Sequence, residues 1–209
     1  MKPKFLLAFL LLSVCAAMAQ TSIETLRSPH WNYGIWADYG NGLGTRSDVH
    51  IGGAGFRVGR VLTNEHGSGW MRGTFEYDID LTPVEIYHFP KYTEYVGPYT
   101  VLWPSRNYYT GGLNPFVAKW NFTKGEKWVP YFAAEGGIVF SDGNMPQGDT
   151  AETNFTSGAA FGAHRFVSDH GAWTFQGKVF HLSNASIGNH NPGVNVALQF
   201  KIGYTWFKK

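Results

Sequence analysis

The chain of 209 residues is long enough for one domain or one barrel, and too short for two comfortable domains. Aromatic residues make up 17% of it and glycine contributes 26 residues, whereas charged residues amount to only 15%, which is unusual for a soluble protein. The 17 basic residues nearly balance the 15 acidic ones, so the charge excludes a basic surface for nucleic acid.

The first 19 residues are typical of a secretory signal peptide. Lys2 and Lys4 precede an apolar run over 5–14, and Ala17 and Ala19 supply the small side chains of a cleavage site. The apolar run is shorter than the roughly 20 residues that a transmembrane helix requires. We therefore predict cleavage before Gln20 and a mature chain over 20–209, which lacks the only cysteine and so has no disulfide.

Eight segments of the mature chain alternate between apolar and polar side chains, which is the period of a β-strand. In the clearest of them, over 70–82, aromatic and aliphatic side chains alternate with charged and hydroxyl-bearing ones. Stretches rich in turn-forming residues separate the segments. The segments cover 31–39, 49–63, 70–84, 108–122, 128–141, 154–167, 173–185 and 194–207.

This alternation fits either a soluble β-sandwich with its charged face outward or a membrane barrel with its apolar face outward. Aromatic residues near the segment ends favour the barrel, because they are typical of the girdles at membrane interfaces; they are Trp31, Trp36, Trp70, Trp120, Trp128, Trp173, Tyr204, Trp206 and Phe207. The sequence therefore predicts an all-β protein, an eight-stranded antiparallel transmembrane β-barrel integral to the bacterial outer membrane. Charged side chains are expected to pair inside its narrow lumen; they are Arg57, Glu76, Asp78, Asp80, Lys119, Glu135, Lys178 and Lys201.

The lengths of the connections predict which end of the barrel faces outward. Those over 64–69, 123–127 and 168–172 are short, whereas those over 40–48, 85–107, 142–153 and 186–193 are longer. Outer-membrane barrels have short periplasmic turns and long extracellular loops. The longer connections are therefore expected outside the cell, with both termini in the periplasm.

The seventh segment ends in a pair of residues with catalytic potential. His181 and Ser183 are two positions apart, so in a strand they point to the same side, where an imidazole can take the proton of a hydroxyl. Strand parity places both on the lipid side at the extracellular rim, together with Trp173 and Phe175. A substrate at this position is a lipid of the outer leaflet. The same spacing also arises by chance, and a histidine at the rim often only contacts lipid headgroups.

The run from His181 to Gly193, with the pattern His-x-Ser-Asn-Ala and then Asn-Pro-Gly, resembles the signature of the PagL family of lipid A 3-O-deacylases. The resemblance extends to the eight-strand layout and to the run Asn-Phe-Thr-Ser-Gly over 154–158. It implies a serine ester hydrolase that removes an ester-linked 3-hydroxyacyl chain from the lipid A of lipopolysaccharide, without a cofactor or metal. By position, Ser183 would be the nucleophile and His181 the general base. The oxyanion donors would be the Asn191 side chain and the backbone amide of Ala185 or Gly193.

The acidic third residue of the family falls on Asn195 in this sequence. An amide can fix the tautomer of the imidazole without a charge, as in Cys-His-Asn proteases. Strand parity places Asn195 on the lumen side, away from His181, unless a bulge or loop residue follows Gly193.

Two alternatives stay open. The chain is also similar to the outer-membrane phospholipase A barrels, which use His-x-Ser with an asparagine at the spacing of Asn195, although that family has more strands and a longer chain. A catalytically silent structural or binding barrel would keep the fold and the loop. The spacing of His164 and His190 does not fit a tight zinc site, and a homodimer is neither required nor excluded.

Overall fold

The computed structural model describes residues 23–191 and 194–208, so the predicted signal peptide over 1–19 lies outside the described residues and stays a prediction. The described residues form ten β-strands, eight of which close into an antiparallel barrel. The strands are β1 (His30–Gly42), β2 (His50–Val61), β3 (Gly73–Phe89), β4 (Tyr92–Val96), β5 (Tyr99–Trp103), β6 (Arg106–Phe122), β7 (Trp128–Ser141), β8 (Thr153–Ser168), β9 (Gly171–Ser183) and β10 (Val194–Lys208).

The barrel closes where its first and last strands pair. β1 runs antiparallel to β10, with Trp31 opposite Lys208 and Gly42 opposite Ala197. Around the barrel the order is β1, β10, β9, β8, β7, β6, β3 and β2. Closure leaves no unpaired strand edge, which is what a sheet surrounded by hydrocarbon requires. The predicted eight-stranded antiparallel barrel is confirmed.

The structure differs from the sequence prediction in two connections. Within the predicted loop over 85–107, β4 and β5 form a separate hairpin that turns at Gly97, whose φ of 58° lies in the left-handed region. The connection between β2 and β3 spans 62–72, because a short 3-10 turn over Gly69–Met71 replaces the predicted start of a strand. It is longer than the opposite loop over 43–49, so the predicted alternation of short and long connections fails at that pair.

Helical structure in the described residues is limited to three 3-10 segments, Ile23–Leu26, Gly44–Arg46 and Gly69–Met71. No helix among residues 23–191 and 194–208 is long and apolar enough to cross a membrane.

The predicted division into an apolar outer face and a polar lumen is confirmed, and all eight predicted lumen charges are buried. Arg57 donates to both carboxylate oxygens of Asp80 at 2.6 and 2.7 Å, and the Nζ atom of Lys201 donates to the same carboxylate at 3.0 Å. Lys119 bridges Glu76 at 2.8 Å and Asp78 at 2.6 Å. Removing one partner of such a buried pair generally costs about 3–5 kcal/mol, so these charges favour the arrangement of strands around the lumen that pairs them.

Apolar clusters close both ends of the lumen. The first lies at the end for which the loop lengths predict the periplasm, and we call it the periplasmic cluster; it consists of Leu26, Val61, Val129, Phe166, Ala172 and Phe207. The larger extracellular cluster consists of Val49, Ile51, Tyr87, Phe89, Tyr108, Val139, Met145, Phe180, Leu182, Val194 and Ala197. Between the clusters, a cavity beside Asp38 and Lys178 has a volume of about 20 Å³, room for about one water molecule. A ligand larger than a water molecule therefore does not fit in this cavity.

Two of the aromatic residues assigned to the girdle face the lumen instead. Trp36 is 8% exposed and packs beneath the Nζ atom of Lys201, and Phe207 is 2% exposed in the periplasmic cluster. Both occupy strand positions of inward parity, which proximity to a strand end does not reveal. At the same end, Trp31, Trp70, Trp128, Trp173 and Trp206 are exposed, and Trp120 is half-buried at an outward position of β6.

Candidate active site

The predicted nucleophile and base lie where β9 ends at the rim of the barrel. His181 is exposed and Ser183 is half-buried, and both share the outward face of β9. They are consecutive outward positions, about 7 Å apart along a strand. The rim is the one that carries the loops over 43–49, 142–152 and 184–193, as expected for the extracellular side.

Strand β8 places small and aromatic side chains beside the pair. In the ladder between β8 and β9, Ser157 lies opposite His181, and Phe155 lies opposite Ser183. Ser157 is exposed on the same outward face. The run over 154–158, which contributes to the family resemblance, is therefore the direct neighbour of the pair.

Strand β10 flanks the pair on the other side through an irregular register. Val194 pairs with Leu182 and Ala197 pairs with Phe180, so two residues of β10 oppose the single residue His181. Those two residues are Asn195 and Val196, which is the arrangement of a β-bulge. The bulge that the assignment of Asn195 requires is thus present in the backbone, directly opposite His181.

The same bulge reverses the parity of the first residue of β10. Val194 is fully buried in the extracellular cluster, whereas strict alternation predicts that it faces outward with Val196, which is 40% exposed. From Val196 to Trp206 the predicted faces hold, with Phe200 and Ile202 outward and Gln199 and Lys201 inward.

Asn184 organises the described part of the connection that follows β9, over 184–191, which we call the motif loop. Its side-chain Oδ1 accepts from the Ser186 N–H group at 2.9 Å, and its Nδ2 donates to the His190 carbonyl at 2.8 Å. Its own N–H group donates to Asn191 Oδ1 at 3.0 Å, and its carbonyl accepts from the Ile187 N–H group at 3.0 Å. Asn184 is 2% exposed, so these bonds satisfy a buried amide while they fold the loop.

Two predicted oxyanion donors lie in this loop in a form that leaves them available. Since Asn191 Oδ1 accepts from Asn184, the Nδ2 amide of Asn191 is directed away from that bond and offers N–H donors. Ala185 and Ser186 have φ angles of 50° and 64°, in the left-handed region that non-glycine residues rarely adopt. The Ala185 N–H group makes no hydrogen bond to any described residue. Gly193 lies outside the described residues.

The left-handed residues indicate that the loop is held in an unfavourable conformation. Such a conformation costs about 1–2 kcal/mol per residue and persists only where the surroundings enforce it. Strain of this kind clusters at sites where a ligand or a reacting group must meet a fixed backbone. Here the Asn184 hydrogen bonds supply the enforcement.

The loop between β7 and β8, over 142–152, braces the motif loop from outside. The His190 N–H group donates to the Asp149 carbonyl at 2.9 Å, and Asn189 Nδ2 donates to Asp149 Oδ2 at 2.7 Å. Gly188 approaches so closely that a Cβ atom there would lie 2.6 Å from the Thr150 carbonyl oxygen. Sequence reasoning missed this brace, because it joins segments about 40 residues apart that carry no shared pattern.

A further layer of contacts ties the brace to the β4–β5 hairpin. Tyr92 donates through its hydroxyl to the Gln147 carbonyl at 3.2 Å, and Gln147 Nε2 donates to the Pro104 carbonyl at 2.9 Å. The Arg46 guanidinium lies 4.7 Å from the centre of the Tyr92 ring. Hydrogen bonds and a cation–π contact therefore connect the loops at this end of the barrel to one another.

No group of metal-ligating side chains that would hold an ion occurs in residues 23–191 and 194–208. The end of β9 and the start of the motif loop thus carry a hydroxyl, an imidazole and unused N–H donors at the rim.

A family model described as "Lipid A 3-O-deacylase (PagL)" matches residues 29–205, a span that includes both halves of the motif. Among solved structures, the crystal structure of the outer membrane enzyme PagL is similar with a TM-score of 0.52 and 13% identity, over 82% of this chain and 98% of that chain. This likeness shows a shared barrel fold. No curated protein sequence matches the chain.

Two other outer-membrane barrels are also similar in outline. Neisserial surface protein A (NspA) gives a TM-score of 0.48 at 12% identity, over 84% of this chain and 96% of its own. The outer membrane protein OprG from Pseudomonas aeruginosa gives 0.46 at 6% identity, over 88% and 97%.

Proposed function

Because the chain belongs to the PagL family of lipid A 3-O-deacylases, we propose that it hydrolyses the ester that links a 3-hydroxyacyl chain to lipid A. The family and the barrel fold make it an integral outer-membrane protein. The observation that carries the proposal is the outward position of His181 and Ser183 at the end of β9, directly before a strained loop with unused N–H donors. A reactive pair on the lipid-facing surface meets lipids of the outer leaflet.

In the first half of the proposed reaction, Ser183 Oγ attacks the carbonyl carbon of the ester while its proton moves to His181. The tetrahedral intermediate carries a negative charge on the former carbonyl oxygen. Collapse of the intermediate breaks the bond to the sugar oxygen, and His181 returns the proton to that oxygen. The acyl chain is then bound to Ser183 as an ester.

In the second half, a water molecule attacks the acyl-enzyme while His181 takes its proton. The intermediate collapses with release of a 3-hydroxy fatty acid, and the proton returns to Ser183 Oγ. Each half develops an oxyanion at the same place, for which we assign the Asn191 side chain and the Ala185 or Gly193 backbone amide as donors. In hydrolases of this chemistry, one such donor lowers the activation barrier by about 3–4 kcal/mol.

Lipid A mass spectrometry tests the proposal directly. The protein is expressed in a bacterium whose lipid A carries an ester-linked 3-hydroxyacyl chain at position 3, and lipid A is compared with that of cells carrying the empty vector. We expect a new species that has lost one 3-hydroxyacyl chain. The proposal is contradicted if lipid A stays unchanged in cells whose outer membrane holds the folded protein, and also stays unchanged when it is mixed with the folded protein purified in detergent micelles.

The phospholipase-type alternative is favoured by a single observation, the asparagine at position 195. The purified protein is therefore also offered phospholipid in the same micelles. Release of fatty acid from phospholipid but not from lipid A would select that alternative, and release from neither would select the catalytically silent barrel.

Asn184 gives a prediction about the loop rather than about the reacting atoms. Asn184→Ala removes the acceptor of Ser186 N–H and the donor to the His190 carbonyl, so we expect the proposed oxyanion donors of the motif loop to lose their alignment. Misplacement by about 1 Å costs about 10²-fold in rate, and we expect a fall in kcat of that size. The measurement is the kcat of fatty acid release, with the folded fraction determined from the mobility of the unheated barrel in a denaturing gel.

Asn184→Asp serves as the graded comparison, because it keeps the Oδ1 acceptor and loses the Nδ2 donor, and it should lie between the alanine variant and the parent. Asn64→Ala, in an exposed periplasmic turn, is the matched control and should leave kcat unchanged. An Asn184→Ala protein with unchanged kcat would show that the loop does not position the donors.

A further inference from the structure

Polar side chains from neighbouring strands form a row on the outer face of the barrel, near the extracellular rim. We call it the histidine row; it consists of Tyr39 of β1, His50 of β2, His88 of β3 and Asn107 of β6. His50 lies directly opposite His88, and His88 lies directly opposite Asn107. Tyr39 reaches His50 diagonally, from two positions before the residue that pairs with His50. Tyr39, His50 and Asn107 are exposed and His88 is half-buried, so the row is accessible from outside.

Hydrogen bonds and ring contacts hold the two imidazoles of the row. His50 Nδ1 lies 3.1 Å from the Tyr39 hydroxyl oxygen, and the rings of these residues are stacked. His88 Nδ1 donates to Asn107 Oδ1 at 2.6 Å, because an amide oxygen can only accept. The two imidazole rings are nearly parallel, with centres 6.3 Å apart and an interplanar angle of 23°. Both hydrogen bonds engage Nδ1, and neither Nε2 atom bonds to a described residue.

The two imidazoles are suited to an anion. Within residues 23–191 and 194–208, neither of them forms an ion pair with a carboxylate that would compete for it. A protonated imidazole carries a positive charge and donates through both nitrogens. Two protonated imidazoles at this distance repel each other, and an anion between them offsets that repulsion. The row therefore fits an anionic group that accepts from both Nε2 atoms.

The row lies at the boundary of the apolar outer face. On β3, the outward side chains below His88 are apolar and exposed; they are Ile79, Leu81, Val84 and Ile86. On β2, His50 is the first residue of the strand, and Phe56 and Val58 are exposed apolar side chains below it. At this boundary of a membrane barrel, lipid headgroups replace hydrocarbon. The anion that meets the row is therefore part of a lipid headgroup, and the rim assigned to the extracellular side places that lipid in the outer leaflet.

This lipid is not the one that meets the reactive pair. Around the barrel, β3 is four strands from β9 in either direction, so His88 and His181 lie on opposite sides. A headgroup bound at the histidine row cannot reach Ser183 without passing around the barrel. The row is therefore separate from the site proposed for ester hydrolysis.

We infer that the histidine row is a second lipid site, which binds the phosphate monoester of a lipid A molecule through His50 Nε2 and His88 Nε2. A phosphate monoester carries up to two negative charges and three terminal oxygens, so one group can accept from both imidazoles. Two charge-assisted bonds of about 2.7–2.9 Å to different oxygens span the gap between the rings. The occupant is lipid A, because the family acts on lipid A and the row lies in the same leaflet as the reactive pair. The inference rests on the family and on the outer-membrane position, and does not require hydrolysis.

NMR of the histidine rings tests the site independently of activity. The Ser183→Ala protein, with isotopically labelled histidine rings, is placed in detergent micelles, and the signals of His50 and His88 are assigned from His50→Phe and His88→Phe. Lipid A with a single phosphate monoester is then added, and in parallel samples lipid A without phosphate or phosphatidylglycerol. We expect the phosphorylated lipid A to shift both signals and the other two lipids to leave them in place.

The variants also measure the contribution of each imidazole. His50→Phe keeps a ring for stacking and removes both nitrogens, so the lipid A concentration that half-saturates the His88 shift should rise by about tenfold, as expected for loss of a hydrogen bond to a charged group. His50→Gln keeps a neutral donor and should raise it less. His170→Phe is the matched control, because it makes the same change at an exposed position in the periplasmic turn between β8 and β9, and it should leave that concentration unchanged.

Three results would overturn the inference. If phosphorylated lipid A shifts neither signal, the row is not a lipid site. If lipid A without phosphate gives the same shifts, the row does not recognise the phosphate, and if phosphatidylglycerol gives the same shifts, the row does not select lipid A. Because Ser183→Ala is tested for binding alone, a parent protein without deacylase activity would contradict the proposed function and leave this inference standing.

Discussion

Replacing Ser183 with alanine is expected to lower the rate of acyl release by about 10⁴- to 10⁶-fold, the effect of removing a nucleophile that acts as a unit with its base. The loss should leave the barrel intact, because Ser183 is half-buried on the outer face at the last position of β9 and bears little packing. The measurement is the single-turnover rate of 3-hydroxy fatty acid release from lipid A in micelles. The mobility of the unheated protein in a denaturing gel reports folding.

Ser168→Ala is the matched control, since it makes the same change at an exposed position at the periplasmic end of β8. His181→Ala should reduce the rate to a similar floor, and the double variant should be no slower than either single one, because the two residues share one step. If both single variants release fatty acid at the parental rate while folded, the assignment of His181 and Ser183 is wrong. A large loss in Ser183→Ala with additive effects in the double variant would contradict a shared step.

The alternation of side chains made the barrel and the outward face of the candidate pair, His181 and Ser183, predictable. Glu76, Asp78 and Asp80 occupy every second position of β3, and neighbouring strands supply cations to them, with Lys119 opposite Glu76 and Arg57 opposite Asp80. The same period places His181 and Ser183 on the outward face without knowledge of any contact. Period-two patterns are reliable where one face is buried, because a slip by one residue would expose every apolar side chain on that face.

The β4–β5 hairpin was missed although its sequence carries a turn signal. Tyr92–Val96 and Tyr99–Trp103 flank the pair Gly97-Pro98, which is typical of a tight turn between two short strands. The hairpin lies outside the barrel ladder, so its alternation has no buried face to match, and Tyr95 and Tyr99 are 81% and 72% exposed. Its contacts with Gln147 depend on the fold of another loop.

The bulge at the start of β10 could not be predicted from the alternation of side chains. An argument from alternation assumes that every residue of a strand lies opposite one residue of its partner. An extra residue opposite His181 turns Val194 inward, and no property of the side chains at 194–197 signals it. The brace between Asp149 and the motif loop was unpredictable for a related reason, since it joins residues that only the closed barrel brings together. The outward face and the rim position of His181 and Ser183 could therefore be predicted from the sequence, whereas the contacts of the loops around them could not.

Asn195 gives the second prediction, which concerns how His181 is oriented. Asn195 stands where the family has an acid, and the bulge sets it with Val196 directly opposite His181. We propose that it holds the imidazole by a neutral hydrogen bond and that the oxyanion donors carry more of the stabilisation. On this hypothesis Asn195→Ala should lower kcat by about 10²-fold, as expected for loss of orientation, and should not abolish the reaction.

Asn195→Glu and Asn195→Gln separate the effect of charge from the effect of side-chain length, because glutamate and glutamine side chains are equally long. A carboxylate makes a charge-assisted bond to an imidazolium that is roughly twice as strong as a neutral one. We expect Asn195→Glu to keep or raise kcat, by up to about tenfold, which corresponds to about 1.4 kcal/mol of barrier. The acid limb of the pH–rate profile of Asn195→Glu should lie at higher pH than that of Asn195→Gln, because a nearby carboxylate favours the protonated imidazole.

A structural role alone would not move the pH–rate profile, so the comparison of glutamate with glutamine distinguishes orientation of His181 from support of the bulge. If Asn195→Ala retains the parental kcat and the glutamate and glutamine variants share one pH–rate profile, Asn195 does not contact the imidazole in the reacting state. His181 and Ser183 would then act as a dyad, and Asn195 would not perform the role of the family's acid. The opposite outcome is that Asn195→Ala lowers kcat, whereas Asn195→Glu, unlike Asn195→Gln, keeps kcat high and shifts the acid limb of the pH–rate profile. Asn195 then orients His181 from the position of the family's acid, but less strongly than a carboxylate would.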